Sequence, residues 1–257
     1  YLLVGEDEIM IIGAVWIALL WAVAGAFLIG ETAELSPRAR RELPQSVLGR
    51  MAFTWFNPGS GTGYVFAILN SLGGMLTLAM VTMLALVVTG VAGRSNPQHW
   101  NHWWVVLASY LAIYLGLARL GGIVMHWWRM GGMLGTFICY LVLLVMGVIG
   151  PFAVQVILSW VLDDGRGNSF DYTLLQFPNW IWTMFKIGEN YQSPGANGAV
   201  ELAPYVLAPF AVLVFFLNFV LAAKEVEQTR LVAPQRVRDD DEELHPTAKT
   251  IRRGPWD

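Results

Sequence analysis

The sequence predicts an all-α fold, a polytopic transmembrane helical bundle, and three observations lead there. Hydrophobic residues make up 56% of the 257 residues and charged residues only 14%, against about 45–50% and about 25% in soluble domains. Five runs reach the roughly 20 apolar residues that a helix needs to cross a bilayer. Twelve tryptophans fit a chain with many membrane–water boundaries, where Trp collects. The mean hydropathy of +0.52 agrees. A net charge of −3 argues against a nucleic-acid partner. Cys139 is the only cysteine, so no internal disulfide can form.

The five predicted spans are residues 9–30, 64–91, 103–125, 130–162 and 203–223, and together residues 1–224 form a transmembrane domain. Before the first span stands "YLLVGEDE", which starts at Tyr1 and lacks the basic leader of a signal peptide. The chain therefore reads as a fragment whose N-terminal part is missing. The fourth run is too long for one straight span. Gly150–Pro151 in its middle predicts a kinked or broken helix. Pro204 and Pro209 mark the entrance of the last span. Residues 225–257, with "RDDDEEL" and "TAKTIRRGPWD", predict a charged, disordered cytoplasmic tail.

Lysine and arginine placement predicts orientation. With the N-terminal end outside, the inner face collects Arg38, Arg40, Arg41, Arg50, Arg129 and seven tail residues, while Arg94, Arg166 and Lys186 stay outside. Twelve against three puts the 31–63 connection and the tail in the cytoplasm. That connection holds an amphipathic helix: Pro44 suits a first turn, and Val47, Leu48, Met51, Ala52 and Trp55 share one face. Ser36–Pro37 caps a short basic turn ahead of it. Such a helix either lies along the lipid interface or docks a cytoplasmic partner, with Arg38, Arg41, Val47, Arg50, Met51 and Trp55 as the candidate surface. The glycine-rich "NPGSGTGY" lacks the lysine of a phosphate loop, and Asn57–Pro58–Gly59 reads as the end of a helix and the turn into the second span. On the outer side, "LLQFPNWIWTMFKIGENY" predicts a second short helix started by Pro178. Its stripe of Trp180, Ile181, Met184 and Phe185 would rest on or dip into the outer leaflet.

Arg119 is the one charged side chain well inside a span, which makes it a candidate intramembrane polar site. His126 and Arg129 lie about seven to ten residues further on, at the inner end of the same helix, so the guanidinium could snorkel to the interface or find a structural partner. A substrate or gating role is the other reading. The four histidines are too few, and too unevenly spread, for a haem ligated across the membrane. "HWNHWW" reads as an aromatic belt, since no third metal ligand follows His99 and His102. Neither a cofactor nor a catalytic constellation is expected. Asn70, Ser109, Tyr110, Tyr114, Gln155 and Asn218 are expected as interhelical hydrogen-bond partners. Gly131 and Gly135, with Gly121–Gly122 and Gly73–Gly74, predict close helix contacts or a dimer face.

The order of these elements resembles the membrane subunits of type-2 ABC exporters, and "SPRARRELPQSVLGRMAFTWFNPGSGTGY" and "LLQFPNWIWTMF" look similar to bacterial permease-like proteins of that group. The resemblance implies an inner-membrane permease, a homodimer or heterodimer, driven by a separate cytoplasmic ABC ATPase. It puts the Ser36–Phe56 region at the coupling position and Pro178–Asn190 at the position of the family's short outer helices. Family members have six spans where five are visible here, a difference that a span lost before Tyr1 would account for. The rival expectation is a non-transporting membrane scaffold, favoured by the scarcity of polar residues within the spans.

Overall fold

The computed structural model describes residues 6–31, 59–89, 97–127, 132–162, 172–192 and 198–231. All of the regular structure among them is helical. Five long helices, α1 (Glu6–Leu28), α2 (Ser60–Thr89), α3 (Pro97–Trp127), α4 (Met133–Leu162) and α6 (Gly198–Leu231), accompany a 3-10 turn (Leu174–Gln176) and the short α5 (Trp180–Gln192). Each long helix is long and apolar enough to cross a membrane. The chain is a multi-pass helical membrane protein.

Two ends of the bundle can be told apart by contacts. At the Ser60 end, Gly63 of α2 lies against the Leu28 carbonyl of α1, Gly30 against Met133 of α4, and Gly61 against Ala222 of α6. At the Pro97 end, the His102 ring of α3 meets the Tyr205 ring of α6 edge-on at 6.0 Å. The helix α3 is the centre of the assembly. It packs most extensively on α6, then on α4 and α2, and α1 packs on α2.

The least apolar span, α3, is the most buried, whereas α4, among the most apolar, is largely exposed. Hydrocarbon explains this. Lipid solvates Leu and Val as well as a protein core does, so burial goes to helices carrying groups that need partners. Tyr110, Tyr114 and Arg119 of α3 are all buried. Trp16, Leu76, Met80, Val88 and Trp160 are more than 60% exposed and would face lipid.

Several boundaries differ from the sequence expectation for local reasons. Residues 60–63 form the first turn of α2, which therefore starts at Ser60, four residues ahead of the expected span. Gly59 O accepts from the Gly63 amide at 2.8 Å, and the missing side chains let α1 and α6 approach: a Cβ on Gly61 would meet Ala222 at 2.6 Å. Tertiary contact overrides the low helix propensity of glycine. The helix α4 runs unbroken through Pro151. It begins after Gly132, whose φ of 134° is open only to glycine. The helix α6 starts at Gly198, so Pro204 and Pro209 lie inside it. It also continues to Leu231, so the boundary after residue 224 falls within a helix and Glu225 belongs to the bundle.

Gly121 and Gly122 do meet a neighbour, Cys139 and Thr136 of α4, and Gly74 meets Ile17 of α1. Nothing stands against Gly73 among the described residues, and Gly131 lies outside them.

Candidate functional site

Two polar sites lie within the bundle. The first is at the Ser60 end. Arg119 is 1% exposed. It pairs with Glu225 of α6 at 2.6 Å, and so has the structural partner expected as one reading of its place in the span. Its other nitrogens donate to the Asn218 backbone carbonyl at 3.0 Å, the Asn218 side-chain carbonyl at 2.9 Å and Ser60 Oγ at 3.3 Å. The Asn218 amide donates to Val214 O and Gly116 O. Glu225 in turn accepts from Ser60 Oγ at 3.3 Å and from the Gly61 backbone amide at 3.2 Å.

Glu225 thus does two things. It neutralises the buried guanidinium, and it caps the first turn of α2, whose free amides and dipole attract negative charge. One carboxylate ties three helices at a single point. The spacing of Asn218, Ala222 and Glu225 puts all three on one face of α6. That pattern was the available signal for the partner of Arg119, although 106 residues separate the pair.

The second site is neutral and deeper. After α4 the chain re-enters the bundle, so that Phe177 and Pro178 sit against α3. The Tyr110 and Tyr114 hydroxyls donate to their carbonyls, each at 2.5 Å. These tyrosines lie eight and twelve residues into the His102–Met125 span, about 12 and 18 Å from its start at 1.5 Å per residue. Half of a hydrocarbon core is about 15 Å. The tip of the segment therefore reaches mid-depth, and α5 leads the chain back out. The segment expected to rest on or dip into the outer leaflet packs against α3 about halfway along its span.

Irregular backbone at that depth needs its polar groups satisfied by protein, and the segment meets much of that need reciprocally, although Trp182 Nε1 is buried without a hydrogen-bond partner among the described residues. Asn179 caps α5, accepting from the Trp182 amide at 3.0 Å. Its own amide donates to Gln176 Oε1 at 3.2 Å and Val148 O at 3.4 Å. Gln176 donates to the Gln155 side chain and to Pro151 O at 3.3 Å. Trp180 Nε1 donates to Leu144 O at 3.3 Å. The carbonyls of α4 around its proline thus receive donors from the segment. Thr183 donates to Gln176 O at 3.2 Å and pairs with the Tyr172 hydroxyl at 2.8 Å.

The buried face of α5 is consequently Asn179, Thr183 and Ile187, at helical spacing and partly polar. Of the expected stripe, Trp180 and Met184 pack on the core, and Ile181 and Phe185 are 50% and 68% exposed. Apolar residues point outward here because the surroundings are lipid.

At the tip lies a cavity of about 440 Å³ between α3, α4, α6 and the segment. Its base is formed by Tyr110, Ile113, Tyr114, Phe177 and Leu207, all under 9% exposed, and its mouth by Met146, Pro178, Val206 and Phe210, all exposed. No family model, curated protein or solved structure matches the chain.

Of the sequence candidates, Arg119 is placed as described, while Arg38, Arg41, Val47, Arg50, Met51 and Trp55 lie outside the described residues. Tyr110, Tyr114, Gln155 and Asn218 bridge elements as expected. Asn70 and Ser109 instead donate to Phe66 O and Val105 O of their own helices. Glu225, Ser60, Gln176, Asn179 and Thr183 are the residues that sequence reasoning missed. No group of three or more His, Cys, Asp or Glu able to hold a metal occurs among the described residues.

Proposed function

We propose that the chain is the membrane subunit of an ATP-driven exporter of the ABC type, seated in a bacterial inner membrane with the Ser60 end toward the cytoplasm. One observation carries this reading: the arginine-rich 32–58 connection leads directly into Ser60 and Gly61, the two residues that Glu225 grips. Displacing the start of α2 therefore loads Glu225 and Arg119, and with them α6 and α3. Those two helices wall the mid-depth cavity. The linkage runs from the start of α2, through the polar joint at Glu225 and Arg119, to the cavity between α3, α4 and α6. The bias of basic residues supports the orientation.

A separate ATPase would bind the amphipathic segment containing Arg50 and Trp55 and press on α2 as it cycles. Cargo would shift the bundle only as far as its affinities for the two states differ.

The test is purification of the full chain with any ATPase that accompanies it, followed by the double substitution Arg50→Ala and Trp55→Ala. Membrane insertion should be unchanged, and transport-coupled ATP hydrolysis should disappear. Coupling that survives the double substitution overturns the proposal. So does a chain that purifies with no ATPase at all, the outcome a membrane scaffold would give.

A further inference from the structure

We propose that the mid-depth cavity binds a single hydrocarbon chain, which enters sideways from the bilayer between α4 and α6. Location is the first reason. Gly147 lies fourteen residues from either end of the Met133–Val161 span, and Phe210 twelve residues into the Gly198–Glu225 span. Both walls thus put the cavity near the membrane centre, where hydrocarbon is the surrounding medium. The mouth residues Met146, Val206 and Phe210 are 56%, 48% and 45% exposed, so the opening faces that medium.

Chemistry is the second reason. The side-chain hydroxyls at the base, those of Tyr110 and Tyr114, give their protons to Phe177 O and Pro178 O. A polar ligand would therefore lose its water without gaining a donor, at a cost of about 1–3 kcal/mol per group. Apolar cavities in proteins stay dry, so water is not the filling either. A volume of about 440 Å³ lies within the usual range of ligand pockets, about 300–1,000 Å³.

The base also has a mechanical property. It includes the tip of the re-entrant segment, which neutral hydrogen bonds hold in place. A chain lying against Phe177 touches the irregular backbone directly, so occupancy and the position of the segment are coupled. This site would make the cargo of the transporter an amphiphile with an alkyl or acyl chain. That last step rests on the transport reading; the binding does not.

The full-length protein is reconstituted in vesicles containing phosphatidylcholine with a diazirine at mid-chain, irradiated, and mapped by mass spectrometry. Adducts are expected at Ile113 and Leu207, which are 6% and 5% exposed and out of reach of bulk lipid. Val206→Trp, which fills the mouth, should lower these adducts about tenfold while leaving those at the lipid-facing Leu84 and Val87 unchanged. Met146→Trp on the opposite wall repeats the test should the first variant fold poorly. Adducts confined to Leu84, Val87 and the mouth, or base adducts unchanged in both tryptophan variants, overturn the proposal. An ATPase-coupled protein with an unlabelled base would sink this inference alone. A labelled base without any ATPase would sink only the transport reading.

Discussion

The two polar sites solve the same problem in opposite ways. At the Ser60 end, a full charge is held in the membrane by a second charge; at the tip of the re-entrant segment, backbone carbonyls are held by neutral hydroxyls and amides. The first arrangement is stiff. Separating Arg119 from Glu225 leaves a buried cation, at a cost of about 3–5 kcal/mol. The second is soft, because hydrogen bonds between membrane helices average only about 0.6 kcal/mol, with a maximum near 1.7. A rigid joint at one end of α3 and α6 and a yielding contact halfway along them is an arrangement in which force enters at one place and shape changes at another.

The largest effect should come from Glu225→Ala. It strands a guanidinium that is 1% exposed, with only Asn218 and Ser60 to accept from it. A loss of about 3–5 kcal/mol is expected. Arg119→Met should cost less, since Glu225 is 28% exposed and keeps the Ser60 and Gly61 donors. The pair Arg119→Met with Glu225→Leu should recover most of the loss, as apolar replacements of buried ion pairs often do. Unfolding in mixed micelles, followed by dye labelling of the sole cysteine Cys139, gives all three values. Equal losses in the two single variants would show that Glu225 is not the group keeping the cation in place.

Next in size is the tether of the re-entrant segment. Tyr110→Phe with Tyr114→Phe removes both donors to Phe177 O and Pro178 O. Each change should cost about 1–2 kcal/mol, near the upper end for membrane hydrogen bonds, because the carbonyls have no water to turn to. The loss should be local. Amide exchange in residues 174–183 should accelerate while that of α2 stays slow. Acceleration spread evenly over the bundle would mean that the segment and the joint are one unit, and the contrast between them would fail.

Both sites show what a sequence discloses in a membrane protein. The spans were legible because hydrocarbon imposes length and polarity on every crossing helix, and the five runs fall on the five long helices. Arg119 stood out for the same reason. Its partner did not. Glu225 sits where composition changes from apolar to charged and so reads as the start of a tail, and only the fold brings it to α2. The re-entrant segment escaped similarly. "LLQFPNWIWTMF" has the profile of an interfacial helix, and the role of Gln176, Asn179 and Thr183 depends on carbonyls contributed by α4 around Pro151. A polar residue on a short helix looks solvent-facing until the surrounding medium is known to be protein.

The smallest predicted effect sharpens this point. Asn70 is a polar side chain in a span, and residue type alone puts it with Asn218. Yet its amide turns back to Phe66 O of its own helix at 2.8 Å, in an exposed position. Asn218 is 0% exposed and serves both the guanidinium of Arg119 and the Gly116 carbonyl. Asn70→Leu should therefore change stability by no more than about 0.5 kcal/mol, as substitutions away from buried networks do. Asn218→Leu should cost several times more by the same unfolding assay, since Arg119 loses an acceptor with no water to replace it. A large loss at Asn70 would place a partner against that face of α2, a second copy of the chain or another subunit, and a crosslink from position 70 would then identify it.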